Sequence, residues 1–453
     1  MLALAGFAMI LTFMVLIMTN RLSAITALLL VPVAFAVATG FGATMGPMML
    51  DGIKNIAPTG IMLVFAILYF GLMTDAGLFD PVINRIQRVA HGDPLKIIVG
   101  TALLALLVSL DGDGATTYII VVTAMLPLYR RLGINPLILT CMNMLVGGVM
   151  NILPWGGPTA RAMSALHLDS TQLFNPLIPA MGAGLVWVFY VAWRFGQQER
   201  KRLGLHQAAA SDSKKKTAVL GLAAGLPTPV GEPAEALDLT LSPEEKALRR
   251  PRLLWINALL TIGLMVALVR ELLPLPVLFM LAFALAAVLN YPNLSQQRQR
   301  FAAHASNALS VAAMVFAAGI FTGILSGTHM VDAMAQTFVQ LVPAELGPHF
   351  PVLTGVVSAP LTFFMSNDAF YFGILPFFTK AAAQFGIPAA TMGKASLVGQ
   401  PVHLLSPLVP STYLLVGLAG VEFAAHQRFT LKWACGTVLV MLITSLLLGI
   451  ISW

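Results

Sequence analysis

The sequence predicts an all-α membrane protein built from two inverted repeats, with about ten transmembrane helices plus two re-entrant hairpins. Three observations lead there. Of 453 residues, 58% are hydrophobic and 10% charged. Soluble domains carry roughly 25% charged residues, so most of this chain avoids water. Apolar runs of about 20 residues, long enough to cross a ~30 Å hydrocarbon core, recur throughout. Finally, the breaks in the first half return in the second at a constant offset.

The runs place spans near 2–19, 24–43, 59–75, 134–153 and 173–193, then near 253–272, 274–291, 307–326, 390–416 and 430–452. Two further runs, 95–131 and 350–386, are interrupted by Asp111-Gly112-Asp113-Gly114 and by Ser366-Asn367-Asp368. A polar break at membrane depth is tolerated only against protein or a cavity. Both runs therefore read as re-entrant hairpins. The mixed stretches 47–57, 78–91, 294–306 and 329–346 read as helices lying along the interface.

No basic segment precedes the first apolar run, and Arg21 follows it. This argues for a first span with its N-terminus outside, and against a cleaved signal peptide. Arg85, Arg88, Lys96, Arg130, Arg131, Arg200 to Arg202, Arg249, Arg250, Arg298, Arg300 and Arg428 fall on one side of this arrangement, Lys54 and Lys380 on the other. The bias predicts a bacterial inner (cytoplasmic) membrane protein with both termini outside the cytoplasm and the long loop 197–252 inside it. It also accounts for the net charge of +7 without nucleic-acid binding. The middle of the loop is rich in Ala, Gly, Pro and Glu and reads as a disordered linker. Cys141 and Cys435 sit in apolar runs and suggest neither a disulfide framework nor a cysteine metal site.

The repeat is specific. Gly133-Ile134 opens one span and Gly386-Ile387, 253 residues on, opens another. Pro154 and Pro407 break those spans at the same offset, and the hairpin tips coincide there too, Asp113 falling on Ser366. The chain thus divides into a first repeat, 1–196, the linker 197–252, and a second repeat, 253–453. Hairpin 95–131 pairs with 350–386, and broken helix 134–168 with 390–416. Each half has an odd number of crossings, so the halves run in opposite directions. Inverted repeats with broken helices place a binding site near the midplane.

Ionisable and amide groups inside a membrane are costly and mark function. They gather at four places: the first tip with Asp111, Asp113 and Thr116; the first break with Asn151, Pro154, Gly156, Gly157, Thr159 and then Arg161; the second tip with Ser366, Asn367 and Asp368; and the second break with His403, Ser406, Pro407, Ser411 and Thr412. Half-helix N-termini attract carboxylates, while unwound carbonyls and Asp oxygens suit hard cations. Three acids together would repel an anion, so protons or a divalent metal must neutralise Asp111, Asp113 and Asp368. That predicts cation-coupled transport of a carboxylate, with the three acids as proton or metal sites. Arg161 is suited to a substrate carboxylate or to one of the acids. His403 reads either as a proton relay or as a structural histidine. Asp75, at a span end, reads as a solvated interfacial group, and Trp155 as lining or packing.

Several long segments are recognisable: FAILYFGLMTDAGLFDP (65–81), GDPLKIIVGTALLALLVSLDGDGATTY (92–118), NILPWGGPTARAMSAL (151–166), FFMSNDAFYFGILP (363–376) and GQPVHLLSPLVPSTYLLVGLAGV (399–421). Through them the chain resembles the citrate–divalent metal–proton symporter family of the ion transporter superfamily, nearly end to end outside 204–250. The resemblance implies uptake of citrate complexed with Mg²⁺ or Ca²⁺, H⁺ as coupling ion, an elevator-type fold and a homodimer in the lipid. Scaffold spans would be 2–43 and 253–291. The sodium-coupled dicarboxylate branch of that superfamily has Ser-Asn-Thr at both tips. Here Ser366-Asn367 is followed by Asp368, and the first tip departs completely, which disfavours sodium. An enzyme is not indicated: no HExxH or intramembrane aspartyl-protease pattern is present. Acid-bearing tips within inverted repeats favour alternating access over a channel. Another di- or tricarboxylate, carried without metal, is the alternative substrate.

Overall fold

The structure, a computed structural model, describes residues 1–19, 21–90, 92–112, 114–224, 243–270, 272–340 and 344–453. No strand occurs among the described residues. The first half comprises α1 (Leu2–Met18), α2 (Ala24–Ala38), α3 (Met45–Asp75), α4 (Asp80–Ala90), α5 (Pro94–Val108), α6 (Gly114–Leu132), α7 (Pro136–Met150), α8 (Gly157–Leu166), α9 (Ser170–Leu173) and α10 (Ile178–Ala224). After α11 (Pro243–Leu248), the second half comprises α12 (Leu254–Val269), α13 (Leu275–Asn290), α14 (Leu294–Gly327), α15 (Met330–Val339), α16 (Phe350–Phe364), α17 (Leu375–Ala383), α18 (Ala389–Val398), α19 (Gln400–His403), α20 (Pro410–Ala419) and α21 (Phe423–Leu447).

Six helices among the described residues are long and apolar enough to cross a membrane, beginning at Met45, Pro94, Ser170, Pro251, Leu294 and Phe423. Shorter apolar helices, including α1, α2, α7, α13 and α20, lie between them. The chain is a multi-pass membrane protein.

The helix–turn–helix elements expected at 95–131 and 350–386 are present as α5–α6 and α16–α17, and the breaks as α7–α8 and α18–α20. The two Gly-Ile pairs end helices in the same way. Gly133 and Gly386 take φ of 70° and 76°. The amides of Ile134 and Ile387 then bond the carbonyls of Tyr129 and Ala382. This is a Schellman closure, in which glycine tolerates the left-handed conformation that stops the helix. The broken helices cross at another equivalent pair: a Cβ added to Gly148 would lie 2.6 Å from Cα of Pro401, 253 residues on.

Three expectations need correction. The stretches 47–57 and 294–306 are not separate interfacial helices. Each is continuous with the span after it, giving α3 of 31 residues and α14 of 34. Pro58 does not interrupt α3. At 1.5 Å per residue these helices are about 46 and 51 Å long, longer than the hydrocarbon core. They pack antiparallel, with Gly52 against Gly319 and Gly323, Gly60 against Phe316, and Gly71 against the ring of His304. Small residues let membrane helices approach closely, and glycines of both helices make this seam, while Asp51, Lys54 and most of 294–303 stay exposed. Third, the linker does not begin as a loop at 197: α10 runs on to Ala224, and residues 225–242 lie outside the described residues.

Asp75 is also not simply solvated. It pairs with Arg300 at 3.2 Å and His304 at 2.8 Å, while Arg249 bonds its carbonyl at 3.1 Å. A polar lock joins the neighbouring helices α12 and α13, where Asn257 and Asn290 exchange amide hydrogen bonds of 2.8 and 2.9 Å.

The crossing makes a prediction. Gly148→Val should force the broken helices apart and destabilise the protein by about 1–3 kcal/mol. Gly182→Ala, where an added Cβ meets nothing within 4 Å, should not. Thermal midpoints of the purified protein in detergent measure both.

Candidate functional site

The first tip is made by stopping a helix at an acid. After α5, a single 3₁₀ turn carries Ser109–Asp111, and Gly112 reverses the chain with φ 75°. An added Cβ at Gly112 would lie 2.8 Å from the indole of Trp155. Glycine is required there both for conformation and for closeness. Asp111 is buried and accepts a hydrogen bond from the Thr117 hydroxyl at 3.4 Å. Asp113 lies outside the described residues.

Trp155, from the first break, donates its indole N–H to the Leu110 carbonyl at 2.8 Å. Its ring stacks on Phe70 and meets Phe279 edge-on, with centroids 6.0 and 5.1 Å apart. It therefore packs against α3 and α13 while holding the tip to the break. Within the break, the Thr159 hydroxyl donates to the Ile152 carbonyl at 2.7 Å. Gly156 leaves no room for a side chain beside the Asn151 carbonyl, and Gly157 opens α8.

The second tip is fastened by the same logic with different atoms. His403 Nδ1 lies 2.6 Å from the Thr362 carbonyl. A carbonyl only accepts, so Nδ1 carries the proton. The Ser406 hydroxyl donates to the Phe363 carbonyl at 2.6 Å. Gln400 donates to Asn367 at 3.3 Å and to Tyr371 at 2.8 Å. The Ser366 hydroxyl caps the chain beyond by accepting from the Ala369 amide at 3.2 Å. Asp368 stands at the head of a π-helical turn, Ala369–Ile374, a distortion often found at functional sites. In the break itself, Thr412 donates to the Leu404 carbonyl at 2.5 Å, Gln427 to Leu405 at 2.7 Å, and Tyr413 to Pro407 at 3.0 Å.

An ion pair at this site links the two halves, as the Asp75–Arg300 pair does elsewhere. Arg161 Nε lies 2.6 Å from Asp368 Oδ1, with side-chain exposures of 22% and 10%. Arg161 also lines a cavity of about 240 Å³ with Asp111, Gly112, Trp155, Gly157 and Ala160, closed by α3 and by Asn307 and Ser310 of α14. At ~30 Å³ per water, that is room for roughly eight waters, the scale of a small organic ion. A second cavity of about 140 Å³ lies behind the first tip, lined by Ser109, Gly112, Gly114, Thr117, Asn151 and Ser411 among others. The buried Ser109 hydroxyl has no hydrogen-bond partner among the described residues. A cleft of about 860 Å³ opens between α3, the α8–α9 segment and the α12–α13 turn. It contains none of the candidates. Met62 and Met163 line the cleft, and Leu63 and Arg161 line the cavity. It therefore reads as a vestibule.

So Asp111, Gly157 and Arg161 share one cavity, with Asp368 bonded to Arg161, while Asn151 and Ser411 share the other. Thr116 lies on α6 just beyond the first tip, and Pro154 in the first break. Neither cavity is lined by Thr116, Pro154, Gly156, Thr159, Ser366, Asn367, Asp368, His403, Ser406, Pro407 or Thr412. Several of these hold the breaks and tips in shape instead. Among the described residues, no three His, Cys, Asp or Glu side chains form a metal-holding group. Asn307 and Ser310 were missed because they open a stretch read as an ordinary span. Their signal was two polar residues three apart on one helical face.

Comparison with known proteins gives the family. The citrate transporter family model matches residues 13–399. The chain belongs to that family. It is 58% identical to a citrate transporter of Bacillus subtilis (strain 168), covering 100% of each chain. It is 49% identical to that organism's Mg(2+)/citrate complex secondary transporter, over 100% of this chain and 99% of the other. Among solved structures, the YdaH transporter of Alcanivorax borkumensis, described as having an unusual topology, superposes with a TM-score of 0.52. It covers 91% of this chain and 89% of that one at 13% identity, and so shows the fold alone. The protein is a membrane transporter and not an enzyme.

The Trp155 bond is testable. Trp155→Phe keeps the ring contacts but leaves the Leu110 carbonyl unbonded, a loss of about 1 kcal/mol. Amide hydrogen exchange across the first tip should quicken by about fivefold, while exchange at the second tip stays unchanged.

Proposed function

We propose that this transporter imports citrate as a divalent metal complex, in symport with protons, by an elevator-type alternating-access mechanism. The observation that carries the reading is the mixed charge of one small cavity: Asp111 and Arg161 line it together, with Asp368 against Arg161. A guanidinium suits a carboxylate, and the acids suit a hard cation. A ligand offering both signs satisfies both. The names of the two Bacillus subtilis relatives point to the same cargo.

With Arg161 and Asp368 offsetting each other, Asp111 leaves the site with excess negative charge. Free citrate would be repelled. A divalent cation removes most of that repulsion, and protons remove the remainder. Asp111 and Asp113, the two acids of the first tip in sequence, are the proposed proton carriers.

In this reading the two tips and two breaks move as one transport domain. The bonds that fasten each tip to its own break support that grouping. The recurring Gly-Ile closures, the Gly148–Pro401 crossing and the antiparallel α3–α14 pair support two inverted repeats. The scaffold would include spans 2–43 and 253–291, extended by α3 and α14, which pack on α13 and α2. Exposed apolar side chains on α12 and α13, including Leu259, Ile262, Leu281 and Leu285, suit a homodimer contact or lipid. Basic residues cluster with Asp93 near Arg200 and Gly133 near Arg202 at one end, which supports that end as cytoplasmic and both termini as outside.

The test is uptake of labelled citrate into proteoliposomes under an inward proton gradient, with Mg²⁺, Ca²⁺ or EDTA. Uptake should require a divalent ion and fall when the gradient is collapsed. Uptake indifferent to EDTA would mean the free carboxylate is carried. Asp111→Asn should lose gradient-driven uptake and keep its thermal midpoint; full activity in that variant would remove Asp111 from the coupling role.

A further inference from the structure

We propose that the Arg161–Asp368 ion pair is the device that selects a metal–carboxylate complex over either of its parts, by exchanging partners with it. The inference rests on the functional reading above and specifies how the site recognises that cargo.

The pair joins the two halves of the molecule across 207 residues of sequence. Both partners sit in places set by the fold. Arg161 is one turn into α8, directly after the first break. Asp368 is the residue from which the π-helical turn of the second hairpin starts. Side-chain exposure of 22% and 10% leaves each charge little water. Removing one partner of such a pair strands the other in a poorly solvated place, which is the strongly unfavourable case for buried ions.

That asymmetry is the source of selectivity. A free carboxylate reaching Arg161 would displace Asp368 and leave it buried without a cation. A free divalent cation reaching Asp368 would leave Arg161 without an anion. A complex presents a carboxylate and a cation a few ångströms apart. It converts one close pair into two: Arg161 with the carboxylate, and Asp368 with the metal. No charge is stranded. Because the pair bridges the first break and the second tip, the exchange also replaces a direct bond between the halves with one made through the cargo.

The measurement is binding to the purified full-length protein, by calorimetry and by shift of its thermal midpoint, with three probes. These are Mg²⁺ alone, citrate with EDTA, and Mg²⁺ with citrate. For the wild type, the combined probe should bind on the order of 100-fold more tightly than either part. Asp368→Asn should bind citrate in EDTA nearly as well as it binds the complex. Arg161→Gln should gain binding of Mg²⁺ alone. Wild-type protein that binds citrate in EDTA as tightly as the complex would overturn the exchange, as would an Asp368→Asn variant that keeps the full divalent requirement. If either variant fails to fold, the three wild-type affinities still decide. Wild-type protein that binds citrate in no form would instead sink the parent reading, a result distinguishable from both.

Discussion

A helix that stops in the middle of a membrane leaves backbone groups that lipid cannot satisfy. How those groups are satisfied organises the centre of this molecule. The carbonyls at the two breaks and two tips are taken up by Trp155, Thr159, His403, Ser406, Thr412 and Gln427. Each of these bonds fixes unwound chain at a definite place. The donors differ between the halves, an indole in one and an imidazole with a hydroxyl in the other, although the backbone problem is the same. What recurs is the geometry: the threonines at 159 and 412 each reach back to a carbonyl in their own break. With the breaks fixed, the start of α8 can present Arg161 to a cavity and the second tip can present Asp368 to Arg161.

This separates residues that make the site from residues that could touch cargo, a distinction the sequence blurs. His403 illustrates it. As a histidine at membrane depth beside two prolines, it looks chemically active. In the structure its Nδ1 proton is committed to the Thr362 carbonyl, and the side chain lies away from both cavities. Arg161 is the converse case. Its two sequence readings, a substrate ligand or a partner for an acid, are compatible, because Arg161 lines the cavity while its Nε bonds Asp368.

Much of the architecture was legible because membrane chains carry strong local punctuation. Gly112, Gly133 and Gly386 all sit at positive φ, and polar breaks in apolar runs marked both hairpins. The long helices were misread for a physical reason. Amphipathic patterning reports that two faces differ, and it does not say whether the second face meets water, headgroups or another helix. Gly52, Gly319 and Gly323 lie close enough for backbone contact, and that needed the tertiary structure. Asn307 and Ser310 went unnoticed for the same reason, since their value depends on α14 passing the mouth of the first tip.

The charge balance of the site then links the fold to the choice of cargo. A rigid pocket with only positive groups would hold a tricarboxylate tightly in whichever orientation it was bound, and release would be slow. A pocket with only acids would hold the metal. Here an arginine on one half and an aspartate on the other neutralise each other; under the elevator-type reading proposed above, the empty domain would not carry both of those charges bare through the low-dielectric core. The same two groups become available together, and only to a ligand that can satisfy them together. If the transport domain moves as proposed, an empty carrier with its charges paired, and a loaded carrier with its charges paired differently, are the two states it would take across the membrane. States with one charge stranded are the costly ones, and the position of Arg161 against Asp368 disfavours them by construction.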